Sequence, residues 1–146
     1  MASLLKVDAL TGVTTAGSIS VTGEGNSTTT NLQQGLTKVW VNFEGDASGS
    51  PIRDSFNVSS TDDDGVGDYG VNFSSSMSNN DYSMTGSACL SAYANNDVGL
   101  IGPSRHAAAA SLATGSVQLD GQKSSNTDGV ARDVDVACIA IAGDLA

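Results

Sequence analysis

Thr37-Lys-Val-Trp-Val-Asn-Phe-Glu44 decides how this chain is read. Val39, Val41 and Phe43 fall on one side of an extended backbone, and Lys38, Trp40, Asn42 and Glu44 on the other. Period two, with β-branched and aromatic residues on one side, is the mark of a half-buried strand; a helix needs apolar residues three and four apart. The same period recurs downstream. Ile52–Ser60 sets Ile52, Phe56 and Val58 against Arg53, Ser55, Asn57 and Ser59, while Tyr69, Val71 and Phe73 alternate with Gly70 and Asn72. Tyr82 with Met84, Val117 with Leu119, and the run Arg132–Ala142 complete the set. Turn formers separate these runs at Gly45–Pro51, Asp62–Gly67, Ser78–Asp81 and Ser124–Gly129. The expectation is all-β: an antiparallel β-sandwich, a jelly-roll-like knob, over residues 36–146. Only Arg105–Leu112, around the Ala107–Ala110 run, has helical character, and a small-residue strand or loop fits it equally.

The pattern changes near Gly35. Residues 1–35 hold only scattered apolar side chains, too few to enclose a core, and read as an extended N-terminal arm. Leu5–Leu10 and Ser18–Thr22 are strand-like pieces, and Asn31–Gly35 suits a short helical turn. Ile19 and Val21 alternate with Ser18, Ser20 and Thr22, as in a strand that pairs with something. Ile19 and Val21 are therefore candidate interface residues.

The last strand differs from the others. Val134, Val136, Cys138 and Ala140 share one face; Asp133, Asp135, Ala137, Ile139 and Ile141 share the opposite one. An antiparallel sheet usually leaves one face to water, so a second apolar face asks for a cover. The rim of the second sheet or a neighbouring subunit can supply it; a neighbouring subunit is the expected cover, with Ile139 and Ile141 in that interface.

Ser, Thr, Asn and Gly supply 60 of the 146 residues, and only 15% of the chain is charged. A chain so rich in turn formers is not a helical bundle. The net charge is −10, and Lys6, Lys38, Arg53, Arg105, Lys123 and Arg132 are scattered singly. That argues against a nucleic-acid partner, which needs clustered cations for phosphate. No run of apolar residues reaches membrane-spanning length, and Met1–Asp8 has no basic region before a long apolar stretch. Neither a membrane partner nor signal-peptide secretion is expected. In a reducing cytoplasm Cys89 and Cys138 are expected as buried free thiols.

Catalytic patterns are sparse. The single histidine, His106, follows Pro103-Ser104-Arg105, and there is no Gly-x-Ser-x-Gly elbow, no Cys-x-x-Cys and no Gly-x-x-x-x-Gly-Lys loop. The expectation is a protein that is not an enzyme and that uses no cofactor or metal. Asp62-Asp-Asp-Gly-Val-Gly-Asp68 gathers the carboxylates a hard cation needs. It also supplies the Asp and Gly that a connector between strands needs, and it reads as the connector. Trp40 lies on the polar side of its strand. It fits a subunit interface, a cover by a loop of its own domain, or a platform for a sugar ring.

Gly35–Gly45, Ile52-Arg-Asp-Ser-Phe-Asn-Val-Ser-Ser60 and Gly67-Asp-Tyr-Gly-Val-Asn-Phe73, in that order, resemble a module of tail-fibre-like and appendage virion proteins of marine tailed bacteriophages, those of cyanobacteria and pelagic bacteria. The likeness covers about Asn31–Gly86. Leu4–Leu10 with Gly17–Val21 is similar to the N-terminal arm by which such fibres attach to the virion. The resemblance implies a structural protein without catalytic residues, assembled in the host cytoplasm and located in the virion. It implies a homotrimer whose other partners are tail, portal-proximal or capsid proteins. Two alternatives accompany it: a capsid decoration (cement) protein, and a carbohydrate-binding fibre-tip module that meets a host surface glycan through Trp40, Tyr69, Tyr82 or Tyr93.

Overall fold

A computed structural model describes residues 4–13, 19–23, 27–90, 99–104, 111–123 and 130–146. Tyr93, His106, the Ala107–Ala110 run and the Ser124–Gly129 turn signal lie outside the described residues. The chain divides into two compact units, Met1–Leu36 and Thr37–Ala146.

In the first unit, residues 4–13 form no strand, so the Leu5–Leu10 pattern finds no neighbour there. Strands β1 (Ser20–Thr22) and β2 (Thr29–Asn31) pair antiparallel, with Val21 opposite Thr30. The strand holding Val21 is thus paired within its own unit. After β2, Asn31 Oδ1 accepts from the Gln33 and Gln34 N–H groups at 2.7 and 3.2 Å. This side-chain cap starts the turn that Gly35 N–H closes onto the Asn31 carbonyl.

The second unit is an antiparallel β-sandwich. Its strands are β3 (Thr37–Phe43), β4 (Ile52–Phe56), β5 (Val58–Gly65), β6 (Asp68–Phe73), β7 (Ser83–Cys89), β8 (Gly99–Pro103), β9 (Ser116–Lys123), β10 (Val130–Ala131) and β11 (Val136–Ala142). One sheet runs β4-β3-β11-β7; the other runs β10-β9-β6-β5, with β8 also on β9. The alternating side chains read from the sequence meet between the sheets: Val39, Val41 and Phe43 from β3, Tyr69, Val71 and Phe73 from β6, and Val117 and Leu119 from β9. Phe43 stands edge-on to Tyr69, with centroids 5.4 Å apart, and Phe73 stands edge-on to Tyr82 at 6.1 Å. Such edge-to-face pairs stabilise by about 0.5–1.5 kcal/mol beyond the area they bury.

The apparent single strand Ile52–Ser60 is two strands in two sheets. The break is Asn57, which adopts a left-handed φ of 58°, a conformation that Asn tolerates better than most residues. Its carboxamide grips Ser75: Nδ2 donates to the Ser75 carbonyl at 3.0 Å, and Oδ1 accepts from the Ser75 N–H at 2.7 Å. The register between β3 and β4 also shifts between Asn42 and Phe43. That bulge separates Ile52, which packs on the core, from Phe56, which is 52% exposed. Period-two counting from Ile52 had put both on one side.

The acidic segment is strand as well as connector. Asp62, Asp63 and Asp64 belong to β5, and the turn proper is Val66-Gly67, with Gly67 at φ 67°. A Cβ on Gly67 would run into the Gly121 carbonyl and the Arg132 backbone N, so the tight return to β6 needs glycine on two counts.

Candidate functional site

Of the five candidate interface residues, two are excluded by burial. Ile139 and Ile141 are 3% and 1% exposed and lie in the chain's own core with Ala137. Both sides of β11 are apolar, as the sequence implied, but the cover over Ile139 and Ile141 is the second sheet of the same sandwich. The register fixes this: Ile139 opposes Val41, and Ile141 opposes Val39, both core residues of β3. Of the other candidates, Ile19 is half-buried and Val21 is 52% exposed.

Trp40 is on the outer side of the sheet, opposite in direction to Ile139 and Ile141. It is half-buried, with Phe56 beside it on β4 and Ala140 beside it on β11. Ala140 in turn opposes Thr85 on β7. One row across four strands therefore reads Phe56, Trp40, Ala140, Thr85. The next row reads Asp54, Asn42, Cys138, Ser87. The β4 and β3 half of this face is bulky and aromatic, and the β11 and β7 half is small. The small half leaves a shallow trough of about 300 Å³ lined by Thr85, Ser87, Cys138 and Ala140 among others.

Charge thins out in the same direction. An Arg53–Glu44 ion pair at 3.3 Å and Asp54 mark the β4 end. The seven residues of β11 and the seven of β7 include no Lys, Arg, Asp or Glu. Both cysteines are free and lie in this half, Cys138 half-buried and Cys89 exposed, rather than both buried as expected. Sequence reasoning missed Phe56 as a surface residue because the bulge that turns it outward leaves no signature in the pattern.

The acidic strip lies on the other sheet. Asp68 opposes Asp120 across β6 and β9, and Asp62 Oδ2 accepts from Asn72 Nδ2 at 2.6 Å. Among the described residues, no three His, Cys, Asp or Glu side chains are grouped so as to hold a metal. Tyr69 and Tyr82, offered by the sequence as sugar platforms, are instead buried in the core and present no ring face to a glycan. Burial pushes the Tyr69 pKa up to about 12, against the lowering effect of the Val134 N–H that donates to its hydroxyl at 3.0 Å. Burial likewise pushes Tyr82 up to about 12, while its hydroxyl donates to the Ala113 and Ser116 carbonyls.

The first unit presents a different surface. Leu4, Leu5, Val7, Leu10 and Val13 are all exposed, Leu5 by 79% and Val13 by 93%. They are five large apolar side chains within ten residues, all exposed.

No family model matches the chain, and neither a curated protein nor a solved structure matches it.

Proposed function

We propose that this chain is a bacteriophage virion structural protein that forms a short trimeric fibre or appendage. In this reading residues 1–35 dock on the particle, at the tail or the capsid, and residues 36–146 form the β-sandwich knob. The observation that carries it is the uncovered apolar series Leu4, Leu5, Val7, Leu10 and Val13. Burying such side chains is worth about 1.5–3 kcal/mol each. A segment that forgoes this in its own unit gains it on a partner. Among the described residues, the buried hydrophobic core belongs to Thr37–Ala146. An exposed apolar segment outside the unit that holds this core suits a protein whose work is attachment.

The test is to image particles carrying this protein with a gold-labelled antibody against the knob. A few copies at the tail or at defined capsid positions are the expected result. Dense labelling over the whole shell replaces the fibre with a decoration protein. No label on particles contradicts both.

A further inference from the structure

The outer side of the β4-β3-β11-β7 sheet changes character from one edge to the other. Phe56 on β4 is 52% exposed, and its partner across the strand pair is the half-buried Trp40. Two aromatic side chains thus stand next to each other in one row at the surface. Beyond them Ala140 and Cys138 floor the shallow trough of about 300 Å³, and β7 closes the face with the exposed hydroxyls of Thr85 and Ser87. From Phe56 to Thr85 are three strand-to-strand steps of about 4.8 Å each, the span of a short oligosaccharide rather than of a single ring.

Size, charge and hydrogen bonding select the occupant. Two aromatic side chains bury about 150–250 Å² each, short of the roughly 800 Å² that a standard protein interface takes from each partner. The β11 and β7 strands hold no Lys, Arg, Asp or Glu. At the aromatic end Arg53 is engaged by Glu44, and Asp54 stands exposed. An anionic ligand therefore meets a repelling carboxylate there. Asn42, in the row next to Trp40, is half-buried, and its Oδ1 accepts no hydrogen bond from the chain. An acceptor left short gains from a donor that a ligand brings. A molecule with apolar ring faces, hydroxyls at its edges and no charge meets all of these conditions, and a neutral sugar ring is such a molecule.

We propose that this face binds a neutral glycan chain, with one pyranose ring stacked on Trp40 and Phe56 and the next rings laid across Ala140 toward the Thr85 and Ser87 hydroxyls. Pyranoses whose hydroxyls are equatorial fit best, because their axial C–H groups form flat apolar faces that stack on aromatic rings. A shallow, open floor suits a chain lying flat along the surface, which needs no enclosing pocket. The inference goes beyond attachment to a particle and does not rest on it, since every residue of the face belongs to the unit Thr37–Ala146.

Trp40 is the only tryptophan in the chain, so its fluorescence reports on the site directly. Cellohexaose is the probe. Titrated into the full chain, it is expected to shift the Trp40 emission saturably, with half-saturation at or below about 1 mM, and to protect Trp40 from quenching by acrylamide. Phe56→Ala is expected to raise the half-saturation concentration about tenfold while its melting curve stays that of the parent, because Phe56 is exposed. Leu100→Ala, at a side chain 49% exposed on the other sheet, is expected to bind as the parent does. No saturable shift up to about 10 mM cellohexaose overturns the inference and leaves the face to a protein. So does a Phe56→Ala chain that binds as tightly as the parent, an equal loss in Leu100→Ala, or equally tight binding of hexagalacturonate, whose carboxylates the face is expected to refuse. Should Phe56→Ala fail to fold, quenching of the parent decides: protection by cellohexaose supports the contact, and unchanged quenching overturns it. Failure here concerns glycan binding only, since antibody labelling of particles reads attachment separately.

Discussion

Asn57 holds the backbone of Ser75 with both ends of its carboxamide, at 2.7 and 3.0 Å, from a left-handed φ of 58°. The pair fixes the point where the chain leaves one sheet for the other, because β4 ends one residue before Asn57 and β5 begins one residue after it.

Replacement of Asn57 separates its two contributions. Asn57→Ala loses two hydrogen bonds and puts an unsuited side chain at positive φ, for a cost of about 2–3 kcal/mol. Asn57→Gly loses the same bonds without the backbone strain and costs about 1–2 kcal/mol. For a domain of this size the alanine variant melts about 5–10 °C lower. Thermal unfolding of both variants checks the order; a glycine variant as weak as the alanine one removes the strain component.

Gly45 makes room for the Tyr69 hydroxyl. A Cβ at Gly45 would come within 2.7 Å of that hydroxyl and 2.6 Å of the Val134 carbonyl. Gly45→Ala is expected to destabilise by about 1–3 kcal/mol through overpacking. Tyr69→Phe removes the acceptor of the buried Val134 N–H and costs about 1–3 kcal/mol. Because the two share one space, the double variant costs less than the sum, and a double-mutant cycle by urea unfolding measures the difference.

Alkaline stability follows from the two buried phenols. Tyr69 and Tyr82 titrate near 12 in the folded chain, against about 10 when unfolded. Between these values the unfolded chain has released protons that the folded chain still holds, so stability falls as pH rises. Below pH 10 their contribution is complete. Urea midpoints measured from pH 9 to 12 should be level up to about 10 and then drop, and Tyr82→Phe should make the drop shallower.

The acidic strip predicts a response to salt of no special kind. Asp62, Asp63 and Asp64 run together along β5 and are exposed. Sodium chloride screens that repulsion and raises the melting temperature. Millimolar calcium chloride should do no more than sodium chloride of equal ionic strength. A calcium-specific rise of about 5 °C, lost in Asp62→Asn/Asp64→Asn, would mean a bound cation.

The sandwich was legible because its core residues alternate: Val39, Val41 and Phe43, then Tyr69, Val71 and Phe73, share a side in the sequence and in the fold. Three features were not legible, each for a physical reason. Period-two counting assumes an unbroken ladder, and the bulge between Asn42 and Phe43 sends Phe56 outward. A single left-handed residue changes sheets at Asn57, and nothing about Asn-Val-Ser on paper distinguishes it from ordinary strand. On β11 both faces are apolar, so burial alone could not say which one the second sheet would cover. Register with β3 decided for Ile139 and Ile141, which left Val136, Cys138 and Ala140 on the outside.

The attachment reading rests on the division of labour between the two units, and one measurement tests it most directly. Particles should be assembled with either the full chain or a chain lacking residues 1–36, and the copies per particle counted by quantitative mass spectrometry. The account predicts that the shortened chain melts within about 2 °C of the full chain, because the buried core of the described residues lies in Thr37–Ala146, and that it is absent from purified particles. A shortened chain that folds and still enters particles at the full copy number would contradict it.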